Sequence, residues 1–160
     1  VKKIVTGGAE RYHSVYEALS VIPEENYVLI HDGARAFITP ELIEFCIEQV
    51  KKDKSCVMGM PVKDTIKIVD DNCYAVSTPP RSSMWQIQTQ QCFITKEIKE
   101  AYRKMMEAKD DSVTDDGMLM ETYGIRGVRM IKGSYENIKI TTPEDMLLGE
   151  AILKSRRQSQ

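Results

Sequence analysis

The sequence predicts an α/β fold: a Rossmann-like, mainly parallel sheet flanked by helices, with an inserted β-hairpin. Three observations carry that expectation. Compact apolar runs such as Tyr27–Ile30 and Cys56–Val62 alternate with amphipathic helical stretches, the order that builds a helix-covered parallel sheet. A Thr-Pro-Glu helix start occurs at Thr39–Glu41 and again at Thr142–Glu144. Between them, two short β-runs surround an Asp70-Asp71-Asn72 turn, which is a hairpin signal.

Taken in order, residues 3–6 read as a short strand ending at Gly7-Gly8. Residues 14–21 place Val15, Leu19 and Val21 at helical spacing. Tyr27–Ile30 is a buried strand closed by Asp32-Gly33. Thr39 then caps a helix with Pro40 in its first turn, an apolar stripe of Leu42, Ile43, Cys46, Ile47 and Val50, and Lys51-Lys52 at its carboxyl end. Cys56–Val62 returns as a strand. Residues 65–69 and 73–76 form the hairpin, an arm spanning 62–84 with too little core to stand alone, so it should pack on a second subunit. Residues 86–94 are a strand, and 95–108 a helix with Ile98, Ala101, Tyr102, Met105 and Met106 on one side. Val113–Asp116 caps a short helix that stops at Gly124. Residues 128–131 and 138–141 read as strands. The final helix carries Met146, Leu147, Ala151 and Ile152, and residues 154–160 read as a frayed tail.

Composition excludes several classes. The 160 residues suit one domain, and 42% hydrophobic with 29% charged residues is ordinary for a globular chain. A net charge of −2 gives no electrostatic case for nucleic acid, and no apolar run is long enough to cross a membrane. Cys46, Cys56, Cys73 and Cys92 form no CxxC pair, which argues against zinc and for a reducing cytoplasm. Gly-x-Gly-x-x-Gly, Walker A and Gly-x-Ser-x-Gly strings are all missing, which disfavours dinucleotide oxidoreductases, P-loop enzymes and serine hydrolases. The chain opens inside a strand pattern, so the domain is expected to be N-terminally incomplete.

Five clusters carry candidate chemistry. Thr6–Arg11 with Ser14 puts two glycines after a strand, which suits close approach of a ligand or simply a tight turn. His31–Arg35 follows a buried strand, where α/β sheets bind ligands; Asp32 and Arg35 there suit a metal–phosphate group or an internal ion pair. His31 has no visible base or nucleophile partner and reads as structural. Pro61–Thr65 and Thr78–Arg81 flank the hairpin and can approach each other. Thr114–Asp116 reads as a helix cap, and Lys139, flanked by Ile138 and Ile140, as a strand residue on a solvated face. The cationic and hydroxyl residues Arg11, Arg35, Arg81, Lys139, Thr65 and Thr114 suit phosphate chemistry.

Together the strings GGAERYHSV, LIHDGARAF, PVKDTIK, TPPRSSMWQIQT, VTDD and NIKITTPED resemble the 2-C-methyl-D-erythritol 4-phosphate cytidylyltransferase family, in the family's order and spacing. Ribitol-5-phosphate cytidylyltransferases are similar in the same places, but Trp85 and Val113–Asp116 look more like the methylerythritol branch. The resemblance implies cytidylyl transfer from CTP to a polyol phosphate, with Mg²⁺ as the cofactor and pyrophosphate as the leaving product. It implies that Gly7, Gly8, Ala9, Ser14 and Asp32 contact the nucleotide. Asp32, Arg35, Thr65, Arg81, Thr114 and Lys139 would contact the polyol phosphate, and Lys139 would be the catalytic lysine at the α-phosphate. Asp32 is the candidate metal contact, mostly through the CTP phosphates. Thr65 and Arg81 would ride the arm into a neighbour's site in a homodimer.

Two departures are local: Ala36 and Gln90 stand where the family usually has proline, and both are expected to loosen a loop. A third is larger. The family's N-terminal Gly-rich phosphate loop has no counterpart, so the resemblance covers about the C-terminal two-thirds of a family member. The chain alone is therefore expected to be weakly active or inactive. The alternatives are a ribitol or ribulose 5-phosphate cytidylyltransferase and a non-catalytic dimerising fragment.

Overall fold

The computed structural model describes residues 1–158. Its main sheet has the order β1–β5–β2–β6, built from β1 (Tyr27–Ile30), β2 (Ser55–Pro61), β5 (Trp85–Ile94) and β6 (Arg129–Lys132). Strand β2 pairs parallel with β6, whereas β5 runs antiparallel to both β1 and β2. Strands β1, β2 and β6 therefore share one direction and β5 is wedged between them against it. The sheet is mixed.

Period-2 alternation divides the core between the two faces. Val57 and Phe93 point to the face covered by α1 (Arg11–Ser20), α3 (Thr95–Ala108) and α4 (Asp116–Tyr123), where they meet Leu19, Ile98, Tyr102, Met105 and Leu119. Cys56, Met58 and Cys92 point to the opposite face, where Cys46 and Val50 of α2 (Pro40–Asp53) cover them. Helix α2 begins as expected, with Thr39 Oγ1 accepting from the Leu42 amide at 3.4 Å. Helix α5 (Pro143–Gln158) closes the chain, and Gly149 lets it approach the Phe37 ring.

Several expected boundaries shift for identifiable reasons. Residues 3–6 form no strand: Ile4 is exposed, and alternation makes no strand without a hydrogen-bonded neighbour. Helix α1 starts at Arg11, earlier than its apolar spacing suggested, because His13 Nδ1 accepts from the Glu10 amide at 3.3 Å and closes a turn there. Residues 138–141 are not a strand either. The amides of Thr141 and Thr142 donate to the Asp145 carboxylate at 2.9 and 2.8 Å, capping α5 and leaving the ladder unformed. Helix α5 also continues through Gln158, so residues 154–158 are not a frayed tail; Ser159 and Gln160 lie outside the described residues. Gln90 lies buried within β5, not in a loop.

The hairpin, β3 (Ile68–Val69) and β4 (Ala75–Ser77), lies between β2 and β5 as a separate two-stranded sheet. Its turn is tied by Asp70, whose Oδ1 accepts from the amides of Asn72 and Tyr74 at 3.0 and 2.9 Å. Its base is closed by Arg81, which donates to the Lys63 carbonyl at 3.0 Å.

Candidate active site

Beyond the carboxyl end of β1 the chain turns through His31–Arg35, and this turn forms one wall of a cleft of about 380 Å³. Open α/β sheets bind ligands at such strand ends. Asp32 lies at its centre. Arg11 Nε, from the first turn of α1, sits 3.3 Å from Oδ1, and Lys139 Nζ sits 3.2 Å from Oδ2. Arg35 Nε is more distant, at 3.9 Å from Oδ2. Burial pushes the Asp32 carboxyl up, but the Lys139 hydrogen bond and the Arg11 charge together hold it below the ordinary carboxylate range.

The backbone around Asp32 is pinned by a hydroxyl relay. Thr89 Oγ1 accepts from the Asp32 amide at 3.1 Å and lies 3.0 Å from His31 Nδ1. His31 Nε2 is 3.1 Å from the Arg35 carbonyl, so the imidazole closes the turn from inside. The structural reading of His31 agrees with these contacts.

Arg11 bridges two carboxylates. Its Nη2 donates to Asp116 Oδ2 at 2.6 Å, and the Tyr102 hydroxyl donates to Asp116 Oδ1 at 2.5 Å. Asp116 is completely buried at the start of α4. Burial disfavours the charged guanidinium of Arg11, yet the hydrogen bond and charge of Asp116, with Asp32 adding to them, outweigh that and raise its pKa. Tyr102 also titrates above its ordinary value, because burial and the Asp116 charge both oppose phenolate. The neighbouring Asp115 caps α4, accepting from the Met118 amide at 2.7 Å and from Gln91 Nε2 at 2.9 Å.

Of the residues expected from the sequence, Asp32, Arg35, Thr114 and Lys139 line this one cleft. Gly7, Gly8 and Ala9 do not. Gly7 and Gly8 line a separate shallow depression with Thr6 and His13, and the Gly8 amide donates to Ser14 Oγ at 3.1 Å. Ser14 faces an adjoining groove of about 480 Å³ whose lining shares Arg11 and Asp32 with the cleft. Thr65 and Arg81 are exposed on the arm, outside the cleft of their own chain. Arg11, Thr89 and Gln91 join the cleft without having been expected as site residues. Arg11 stood in the sequence as one cation of a set, Thr89 only as the end of the string TPPRSSMWQIQT with no role attached, and no local pattern marks Gln91, which lies within β5.

The model of the 2-C-methyl-D-erythritol 4-phosphate cytidylyltransferase (IspD) family matches residues 2–155. The chain belongs to that family. A 2-C-methyl-D-erythritol 4-phosphate cytidylyltransferase of Lachnospira eligens is 48% identical over 153 residues, which are 95% of this chain and 67% of the relative. One from Alkaliphilus oremlandii is 47% identical over the whole chain and 67% of its own length. Among solved structures, the 4-diphosphocytidyl-2C-methyl-D-erythritol synthase of Anaerococcus prevotii matches with a TM-score of 0.86 and 39% identity, over 94% of this chain and 66% of that one. The Thermus thermophilus 2-C-methyl-D-erythritol 4-phosphate cytidylyltransferase matches with a TM-score of 0.82 and 31% identity, over 94% and 72%. The chain thus spans about two thirds of the length of these relatives. It is a member of a nucleotidyltransferase family of isoprenoid biosynthesis. Among the described residues, no helix is long and apolar enough to cross a membrane.

Proposed function

We propose that this cleft transfers a cytidylyl group from CTP to 2-C-methyl-D-erythritol 4-phosphate. The observation that carries the reading is the Lys139–Asp32–Arg11 array, two cations held on opposite oxygens of one carboxylate in an open cleft. A phosphate oxygen of the polyol phosphate attacks the α-phosphorus. The bond from that phosphorus to the bridging oxygen breaks, and pyrophosphate leaves. The nucleophile is already ionised at neutral pH, so the site needs no general base. Its task is to align two anions and neutralise the charge that develops between them.

Lys139 serves that charge at the α-phosphate, and its ammonium is held ready by Asp32 until phosphate oxygens compete for it. Thr114 offers its hydroxyl to the polyol phosphate from the cleft rim. The nucleoside is assigned to the adjoining groove lined by Arg11 and Ser14 of α1, with the Gly7–Ala9 segment beside it tied to Ser14 Oγ through the Gly8 amide.

Mg²⁺ enters this reading as the companion of the triphosphate. Among the described residues no cluster of three or more His, Cys, Asp or Glu side chains could hold a metal alone. Of the cleft carboxylates, Asp115 is taken up as the cap of α4, and Asp32 is the one that suits an ion that keeps most of its waters and binds chiefly through substrate phosphates. When bound, the ion neutralises phosphate charge.

The arm supports a homodimer, since its Ile68, Val69, Tyr74 and Val76 are exposed apolar side chains with no core of their own. Thr65 and Arg81 on that arm would then serve a neighbour's polyol phosphate. Four free cysteines support a reducing, cytoplasmic setting.

The test is pyrophosphate release with CTP and Mg²⁺, run with methylerythritol phosphate beside ribitol 5-phosphate. Turnover that prefers methylerythritol phosphate is expected. Preference for ribitol phosphate, or silence with both, would overturn the proposal for this chain.

A further inference from the structure

Lys139 sits on a segment that has no sheet to hold it. Residues 134–142 form neither strand nor helix up to the start of α5, yet Lys139 reaches Asp32 at 3.2 Å. Side chains and one backbone bond fix the segment instead. Gln88 Nε2 donates to the Ser134 carbonyl at 2.8 Å, and Asn137 Nδ2 donates to the Thr89 carbonyl at 2.8 Å. The Ile140 amide donates to the Ala34 carbonyl at 2.9 Å. Further out, the Tyr135 hydroxyl donates to the Pro61 carbonyl and Arg156 pairs with Glu136, and next to Lys139 itself Arg35 Nη1 donates to the Asn137 carbonyl at 2.9 Å.

Arg35 has a second anchor. Its Nη2 donates to the Ile87 carbonyl of β5 at 3.2 Å, so the guanidinium spans two separate backbone segments. The side chain is only 12% exposed, and its terminal nitrogens both face carbonyls of its own chain. A residue that acted chiefly on substrate would present those nitrogens to the cleft. Residues 137 and 140, on either side of Lys139, are thus both held by the turn that carries Asp32: one through the Arg35 side chain, the other through the Ala34 carbonyl.

We infer that Arg35 is a positioning residue: its guanidinium fork locks the Asn137–Ile140 segment to the Asp32 turn and to β5, and so aims the Lys139 ammonium into the cleft. The inference rests on the role proposed above for Lys139. It also explains why arginine is needed. A fork with fixed geometry can hold two carbonyls on different segments, whereas a lysine ammonium is a single point on a flexible stem. A displacement of about 1 Å at a catalytic group is enough to cost on the order of a hundredfold in rate.

The test is a double-mutant cycle of Arg35→Lys and Lys139→Ala, read by pyrophosphate release. Arg35→Lys keeps the charge and removes the fork. It should lower kcat by about tenfold or more, with the KM for the polyol phosphate changed less than about twofold. In the Lys139→Ala background it should have no further effect, because the group it aims is gone. A raised KM with kcat preserved, or a loss that multiplies with that of Lys139→Ala, would show that Arg35 binds substrate itself and would overturn the inference.

A second readout does not depend on turnover. The ¹³Cε resonance of Lys139, assigned by its loss in Lys139→Ala, should shift and sharpen in Arg35→Lys as the ammonium leaves Asp32. An unchanged resonance would overturn the positioning role even if the protein released no pyrophosphate. Normal turnover by Lys139→Ala would sink the catalytic reading of Lys139 and leave this spectroscopic arm to decide the placement.

Discussion

Lys139 and Asp32 meet across the cleft, Nζ to Oδ2 at 3.2 Å, while Arg11 holds the other oxygen of the same carboxylate at 3.3 Å. The carboxylate is therefore shared between a cation fixed by a buried partner and a cation that is free to move. Arg11 is anchored by Asp116, but Lys139 is 45% exposed and, among the described residues, its ammonium has only Asp32 as an ion-pair partner. A triphosphate entering the cleft competes for Lys139 far more easily than for Arg11.

That asymmetry sets the expected effect of Lys139→Ala. Removing a preorganised donor to developing phosphate charge should lower kcat by about 10²–10³-fold. Folding stability should fall by no more than about 1 kcal/mol, since the Lys139 side chain is half-exposed and Arg11 still faces the Asp32 carboxylate. Pyrophosphate-release kinetics beside a urea titration check both halves. A destabilised variant with normal turnover would reverse the assignment.

The depressed pKa of Asp32 predicts how the fold responds to acid. A carboxyl held lower in the folded state than its ordinary value of 3.8 contributes stability that is complete above that value. The contribution is lost as pH falls through the lower, folded value, because the unfolded chain then binds more protons. Asp110 and Asp145 are depressed as well, by hydrogen bonds to Ser112 and to the Thr141 and Thr142 backbone respectively, so the acid limb has several contributors. Asp32→Asn should flatten the dependence of the urea midpoint on pH below about pH 4 and leave its slope at neutral pH unchanged. An acid limb as steep as that of the wild type would show that Asp32 is not held in its charged form.

Most of the architecture was legible because it is local. Thr39-Pro40-Glu41 starts α2, and the apolar side of 95–108 becomes the buried face of α3. What escaped was decided by contacts distant in sequence. Residues 138–141 have strand-like alternation, but Asp145 takes the amides of Thr141 and Thr142. β5 runs against its neighbours, and strand direction is not written in a strand's own residues. The site shows the same division. Asp32 and Lys139 stand out beside their strand-like runs, whereas Arg11 gains its place from Asp116, 105 positions away. No spacing rule reports such a pair.

The Asp116–Tyr102 bond predicts a stability cost without a chemical role. The Asp116 carboxylate has no exposure, so the Tyr102 hydroxyl replaces a water it cannot otherwise reach. Tyr102→Phe removes a hydrogen bond to a buried charged group, a loss of about 1.5–3 kcal/mol. Arg11 still neutralises the carboxylate, so kcat should stay within about twofold of wild type under conditions where the variant is folded. Chemical denaturation and steady-state kinetics separate the two effects. A large loss of kcat with unchanged stability would instead place Tyr102 in the reaction.

The arm supplies the prediction about assembly. Val69 and Val76 are 52% and 66% exposed on a two-stranded sheet separate from the main one. A hairpin this short is marginal by itself, and its apolar surface is better explained by a partner than by its own fold. The double substitution Val69→Lys and Val76→Lys should therefore leave the melting of the main domain nearly unchanged, because neither side chain belongs to either core cluster. It should convert a dimer to a monomer in light scattering, since two buried cations per arm would face apolar surface without a counter-charge. Turnover should fall with the mass, because Thr65 and Arg81 would no longer reach a neighbouring cleft. A wild-type protein already monomeric at assay concentration, and active, would show that each cleft works with its own chain alone.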